Sequence, residues 1–304
     1  MAEPLTPQSP LIFDRRMLRV RRRRAASLKP ATFLLDHVAA DLADRLAAVE
    51  RRFDLALDLG MPSEAVRAAL GHVASVGTLV AAAFPEVCAT RAAAFVIADE
   101  EALPFRQGAL DLVVSTLALQ FVNDLPGTLV QIRRALKPDG LFLAALVGGD
   151  TLTELRQSFA AAESETTGGI SPRVAPFADV RDLGALLQRA GFALPVTDRD
   201  LLTARYDSVF ALMQDLRRMG ATNVLNDRRR RPLRRATLVR MAEIYGERFA
   251  DPDGRVRATF EIVWLSGWAP HASQQQPLKP GSAAARLADA LGSREISTGV
   301  KAGR

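Results

Sequence analysis

The sequence contains one cysteine, three histidines and few aromatic residues. Cys88 stands alone among 304 residues, which excludes an intramolecular disulfide or a cysteine-cluster metal site and favours a reducing compartment. The histidines are far apart and fall in unrelated predicted elements, so we expect no histidine-rich metal site; they are His37, His72 and His271. Aromatic residues make up 6% of the chain and none is interleaved with its arginine runs, which argues against a nucleic-acid partner.

The sequence also lacks long apolar runs. None approaches the length of a membrane-spanning helix, and the first ten residues contain three prolines and no signal-peptide core. We therefore expect a cytoplasmic protein, and peripheral contact with the inner membrane stays open.

Positive charge is in excess, with 40 Lys and Arg residues against 34 Asp and Glu residues. Much of the excess lies in two arginine runs, residues 19–24 and a second run that begins at Arg228. Such runs are typical of solvated faces or tails, and this is the interpretation we favour here. The alternative is a surface that attracts an acidic protein, a nucleic acid or an anionic membrane.

Short apolar segments alternate with helical patterns over the middle of the chain. Continuous apolar strands of this kind predict a mostly parallel sheet with helices on both faces. The predicted strands are 53–60, 78–82, 94–98, 110–115 and 140–147, followed by strands near 192–196 and over 255–264. An amphipathic helix over 31–49 is expected to cover one edge of the sheet, and a second helix spans 125–136. Asp124 and Asp150 are predicted N-caps and Gly191 a C-cap.

These patterns divide the chain into three parts. A basic N-terminal arm covers residues 1–30, and a core domain covers 31–270 and includes a basic helical insertion over 201–250. The tail, 271–304, has the composition of a disordered segment.

Candidate site residues follow the predicted strands, because ligands of open parallel sheets bind outside the carboxyl ends of the strands. After the first strand, Asp58 can hold a charged amine and Gly60 lets backbone approach a ligand closely, although a simple turn also explains them. Asp99 and Glu100 can accept a hydrogen bond from an adenine amino group. The alternative is that they are solvent-exposed acids on a turn. Leu117 would lie on the reacting side of the pocket or pack in the core.

Several stretches together resemble the class I S-adenosylmethionine (SAM) methyltransferases. The turn at residues 136–140, LKPDG, matches the one that commonly precedes the fifth strand of that fold. More closely, the chain resembles the methyltransferase-like assembly factors of respiratory complex I and their alphaproteobacterial relatives, from Phe13 to Trp268. The stretches that carry this resemblance are ADEEALPF (98–105), QFVNDLPGTLVQIRRALKPDG (120–140), GGDTLTELR (148–156), GGISPRVAPFADVRDLGALLQRAGF (168–192) and DPDG (251–254). A more distant resemblance is to the carboxyl methyltransferase of biotin synthesis.

The resemblance implies an α/β Rossmann-like fold of seven mostly parallel strands with a helical insertion. It also implies SAM as cofactor and a protein substrate, such as a complex I subunit, because the mitochondrial member is described as hydroxylating an arginine of such a subunit. SAM would lie near the strand-end residues Asp58, Gly60, Asp99, Glu100 and Leu117, and Gln120 and Asp150 would then face the substrate. No catalytic residue is assigned, since methyl transfer needs alignment of the reactants more than acid or base groups.

Two departures from the family pattern keep a second hypothesis open. Gly60 is followed by Met61 and Pro62 where the family has a glycine-rich loop, and Pro62 lacks a backbone donor. The acid expected after the second strand is replaced near Ala82 and Ala83, which leaves Glu86 as a weak substitute. The chain is accordingly either a SAM-dependent enzyme or an assembly chaperone that has lost SAM binding and holds a complex I subunit through its basic insertion.

Overall fold

The structure is a computed structural model that describes residues 11–60, 63–84, 94–275 and 287–294. The chain divides into one compact unit, Met1–Pro270, and a second unit, His271–Arg304. Met61, Pro62 and Glu86, on which two sequence interpretations depend, lie outside the described residues, as does Cys88.

The described part of the first unit is built around one sheet. Its strands are β1 (Phe53–Leu59), β2 (Val76–Ala83), β3 (Phe95–Ile97), β4 (Leu110–Thr116), β5 (Leu136–Val147), β6 (Ala193–Tyr206) and β7 (Val256–Trp268). The seven strands found among these residues have the order β3-β2-β1-β4-β5-β7-β6. β1 to β5 run parallel, whereas β7 is antiparallel to both of its neighbours.

Helices cover both faces of this sheet. They are α1 (Arg15–Ala26), α2 (Phe33–Ala47), α3 (Glu64–Gly71), α4 (Leu125–Ala135), α5 (Thr153–Thr167), α6 (Val180–Ala190), α7 (Val209–Arg218) and α8 (Arg235–Phe249). A 3-10 turn at Leu119–Phe121 follows β4. The second unit contains a short helix, α9 (Leu287–Ala290). The predicted seven-stranded, mostly parallel Rossmann-like sheet is confirmed.

The core has two layers because the central strands are buried on both faces. One layer joins α2 and α8 to β4, β5 and β7 through residues such as Leu42, Leu143 and Phe260. The other joins α4 and α6 to β5 and β7 through residues such as Leu129 and Leu187. The helix predicted over 31–49 therefore exists as α2, but it covers a face of the sheet and not an edge.

The structure differs from the sequence expectations in the extent of β6 and in the cap of α5. β6 extends to Tyr206 because all of its second half pairs with β7, so the helical part of the segment 201–250 begins at Val209. Asp124 and Gly191 cap α4 and α6 as predicted. Asp150, in contrast, does not cap α5: the cap position is Leu152, in a left-handed conformation.

Among the described residues, no helix is both long enough and apolar enough to cross a lipid bilayer.

Candidate cofactor and substrate site

The sharp turn after β1 brings backbone close to two neighbouring loops. Gly60 has a φ of +96°, which favours glycine, and a Cβ at this position would lie 2.6 Å from the Ala118 Cβ and 3.2 Å from Glu100 Oε1. Any side chain at position 60 would therefore fill the space between the loops that follow β1, β3 and β4. The three loops meet at the carboxyl edge of the sheet, where ligands of this architecture bind.

Asp58 is the buried acid of this edge. Its side chain is 1% exposed, and Oδ1 has no hydrogen-bond partner among the described residues. Burial raises the pKa of Asp58 to about 7. Thr116, at the end of the adjacent strand β4, also has a buried side-chain oxygen, Oγ1, without a partner. Buried polar atoms normally have partners, so this edge can accept a ligand that brings donors to it.

The acidic loop after β3 is occupied by arginines of α1. Arg15 Nη1 lies 2.9 Å from Asp99 Oδ1 and 3.0 Å from Glu101 Oε2, and Arg15 also contacts the buried carboxylate of Glu100. Arg22 Nη1 lies 3.6 Å from Glu100 Oε1. Arg19 approaches Asp99 to 3.8 Å. We call Arg15, Arg19, Arg22 and the acids Asp99, Glu100 and Glu101 the arginine–acid network.

The N-terminal segment is fixed at both sides of this network. Phe13 N donates to Asn123 Oδ1 at 2.8 Å, and Asn123 Nδ2 donates back to the Phe13 carbonyl at 3.1 Å. Asp14 caps α1 by accepting from Met17 N and binds Arg228 Nη2 at 2.8 Å. The guanidinium of Arg19 lies 3.9 Å from the centroid of the Phe84 ring. α1 is therefore part of the wall of the site.

The expectation that the first arginine run is solvated is wrong for Arg22, which is 7% exposed. Helical spacing explains this: Arg15, Arg19 and Arg22 fall at positions i, i+4 and i+7 and so share one face of α1. Arg24 lies off that face and is exposed. The regular spacing, combined with an acidic strand-end loop, is the signal that could have identified the network in the sequence.

The remaining candidate site residues follow strands β4 and β5. Leu117 has a φ of 51° and packs against the core. Gln120 Nε2 donates to the Leu117 carbonyl at 2.8 Å, whereas Gln120 Oε1 is buried without a partner among the described residues. Gln120 lines a cavity of about 320 Å³ whose wall includes Phe121, Leu155 and Phe177.

Asp150 stands apart from this cavity. Its side chain is 65% exposed and lies 3.9 Å from Arg199. Its backbone N–H donates to Glu261 Oε2 at 2.8 Å, and Glu261 is 5% exposed. Glu261 is not among the residues predicted from the sequence, because it belongs to β7, where an alternating apolar pattern conceals a buried acid that fixes the turn after β5.

Two further features bear on cofactor and metal binding. β2 ends in the buried residues Ala82 and Ala83, and the described residues at this strand end, up to Phe84, include no carboxylate. The described residues contain no cluster of three or more histidine, cysteine, aspartate or glutamate side chains that could hold a metal ion.

Comparison with known proteins places these features in a family. A family described as methyltransferase domain matches residues 57–144. The protein named arginine-hydroxylase NDUFAF5, mitochondrial, of Danio rerio is 40% identical over 91% of this chain and 89% of its own length. The human protein of the same name is 41% identical over 91% of this chain and 83% of its own length. The chain belongs to the NDUFAF5 family.

Proteins outside the NDUFAF5 family are similar to only part of this chain. The malonyl-[acyl-carrier protein] O-methyltransferase of Laribacter hongkongensis is 41% identical over 63% of this chain and 62% of its own length. Among solved structures, the YcgJ protein of Bacillus subtilis superposes with a TM-score of 0.52 at 15% identity, over 77% of this chain and 99% of that one. The structural likeness supports the methyltransferase fold alone.

The arginine–acid network can be tested by a double-mutant cycle. Arg15→Met and Glu100→Gln each remove a partner from a buried ion pair, and we expect each to lower the free energy of unfolding by about 3 kcal/mol. The double variant should lose clearly less than the sum, because each change removes the same contact. Arg24→Met, on the exposed side of α1, should change stability by less than about 0.5 kcal/mol. Urea unfolding measures all four, and strictly additive losses would contradict the network.

The raised pKa of Asp58 predicts a pH-dependent stability. Since the folded pKa of about 7 exceeds the ordinary value of 3.8, the folded protein holds the proton, and the stabilisation is complete below about pH 4 and is lost as the pH rises through 7. Asp58→Asn should remove this loss. The free energy of unfolding of the variant minus that of wild type should therefore increase by roughly 3 kcal/mol between about pH 5 and about pH 8. Urea unfolding at both pH values checks this. Asp54→Asn, on the exposed side of β1, is the control, and an equal pH dependence of Asp58→Asn and wild type would refute the assignment.

Proposed function

We propose that the chain is a SAM-binding enzyme of the NDUFAF5 family that modifies a protein substrate during assembly of respiratory complex I. The observation that carries the proposal is the unpartnered oxygen of Asp58, buried beside the left-handed turn at Gly60. A buried carboxylate without a donor is costly, and a ligand that brings a cationic amine offsets that cost.

The residues at the strand ends fit such a ligand. Asp58 would hold the amino group of SAM, and Gly60 would let the ligand lie against backbone, as in other open parallel sheets. Asp99 is still 31% exposed although it is paired with Arg15, so one face of its carboxylate would remain for the adenine amino group. Glu100, in contrast, is 2% exposed and acts through the position of α1. When bound, SAM supplies an activated methyl group.

Leu117 would lie on the cofactor side of the proposed site, and the substrate side begins at Gln120. Gln120 Oε1, buried and unpartnered, is an acceptor that can position a donor on the substrate. Methyl transfer and arginine hydroxylation are both compatible with the proposal: relatives are named for an O-methyl transfer and for an arginine hydroxylation. The link to complex I rests on the resemblance over residues 13–268.

A specific observation favours the second candidate function, an assembly chaperone without SAM binding. Two acids expected to contact the cofactor, Asp99 and Glu100, are already paired with arginines of α1. Within its described residues, β2 ends without a carboxylate, and the sequence after Gly60 lacks the glycines of the family loop. In this case the arginine–acid network would replace the cofactor as the link between the loop after β3 and its neighbours.

Calorimetric titration with SAM separates the two functions. The wild-type protein should bind SAM with a dissociation constant on the order of micromolar, and Asp58→Asn should weaken binding by about tenfold or more, since it removes the charge that holds the amine. Asp54→Asn, exposed on the same strand, should bind as wild type does. The double variant Met61→Cys, Pro62→Gly restores the family loop and should bind at least as tightly. No binding by wild type, with binding gained by this double variant, would establish the chaperone function instead.

A further inference from the structure

The charged side chains that line the cavity beside Gln120 in the described structure are all positive. Three arginines contribute to its wall, Arg21, Arg173 and Arg217, and no aspartate or glutamate does so among the residues described. The rest of the wall is mainly apolar and aromatic, with Leu152, Phe159 and Phe260 among its members. With a volume of about 320 Å³, the cavity lies at the lower end of the roughly 300–1,000 Å³ that small-molecule sites span.

The three arginines differ in whether their charge is already neutralised. Arg173 is bound to the buried Glu163, whose carboxylate also accepts from Ser171 N at 2.7 Å. Neither Arg21 nor Arg217 is within ion-pair distance of a carboxylate in the described part of the chain, and the Nε of Arg21 is buried without a partner. Two cationic groups of the wall are therefore open to a ligand.

The surroundings of Arg21 favour the binding of an anion next to it. Burial, followed by the positive charges of Arg228, Arg24 and Arg217, lowers the pKa of Arg21. The second arginine run supplies more positive charge near this side of the molecule, because Arg228 is tied to Asp14 at the start of α1. An arginine among like charges is stabilised by a carboxylate, which can accept two parallel hydrogen bonds from its guanidinium.

From this arrangement we propose that the cavity is a binding site for an amphipathic monocarboxylate: an apolar chain lies against the aromatic wall and its carboxylate pairs with Arg21 and Arg217. Gln120 Oε1, the unpartnered acceptor of the wall, fits a hydroxyl or amide donor and not a second carboxylate. The inference is independent of SAM binding.

The test uses the full-length protein and three ligands of equal chain length. Decanoate, decanol and decylammonium differ only in the head group, and each is titrated calorimetrically below its micelle concentration. We expect decanoate to bind about tenfold or more tightly than decanol, as a charge-assisted hydrogen bond predicts, and decylammonium to bind more weakly than decanol. Equal binding of all three, or tightest binding of decylammonium, would overturn the proposal, as would no binding of decanoate.

Variants locate the site. Arg21→Gln should reduce the affinity for decanoate about tenfold and leave that for decanol unchanged. Arg24→Gln, exposed on the same helix, is the matched control and should bind decanoate as wild type does. Thr222→Trp, which places a large ring in the cavity wall, should reduce binding of both decanoate and decanol. Undiminished decanoate binding by both Arg21→Gln and Thr222→Trp, with melting temperatures close to that of wild type, would place the ligand elsewhere and overturn the proposal.

Discussion

The pairing of Arg15 and Arg22 with the buried carboxylate of Glu100 is the constraint on which the site depends. It holds α1 against the loop after β3, and α1 in turn contributes Arg21 to the wall of the neighbouring cavity. Removing one member of a buried ion pair leaves an uncompensated charge, so separating the helix from the loop is costly. The N-terminal segment is for this reason a structural part of the domain.

Two ligand environments of opposite character lie along the same edge of the sheet. At the end of β1, Asp58 Oδ1 has no hydrogen-bond partner in the described part of the chain and favours a cationic group, consistent with the amine of SAM. Beyond Gln120, the arginine-lined cavity favours an anionic head group on an apolar chain. The turn at Gly60 keeps the loops close enough that both environments share the strand ends. Under the two proposals, this charge separation would let one edge select two different ligands.

The sequence predicts the central fold well because buried parallel strands are continuous apolar runs, as β1 and β4 show. Asp58, Gly60 and Glu100 could likewise be placed at the strand ends from topology alone. The pairing of Glu100 with α1 could not, because it joins residues about eighty positions apart, and a run of arginines is usually solvated. Asp150 was misplaced as a helix cap since the cap position of α5 is the left-handed Leu152, two residues later.

The most direct test of this account is amide hydrogen exchange in Glu100→Gln compared with wild type. If the arginine–acid network anchors α1, exchange should become faster in α1 and in residues 98–105, because these segments would open locally without global unfolding. Exchange in the central strands β1 and β4 should stay as slow as in wild type. Unchanged exchange in α1, with the variant otherwise folded, would contradict the claim that the network holds the N-terminal helix on the site.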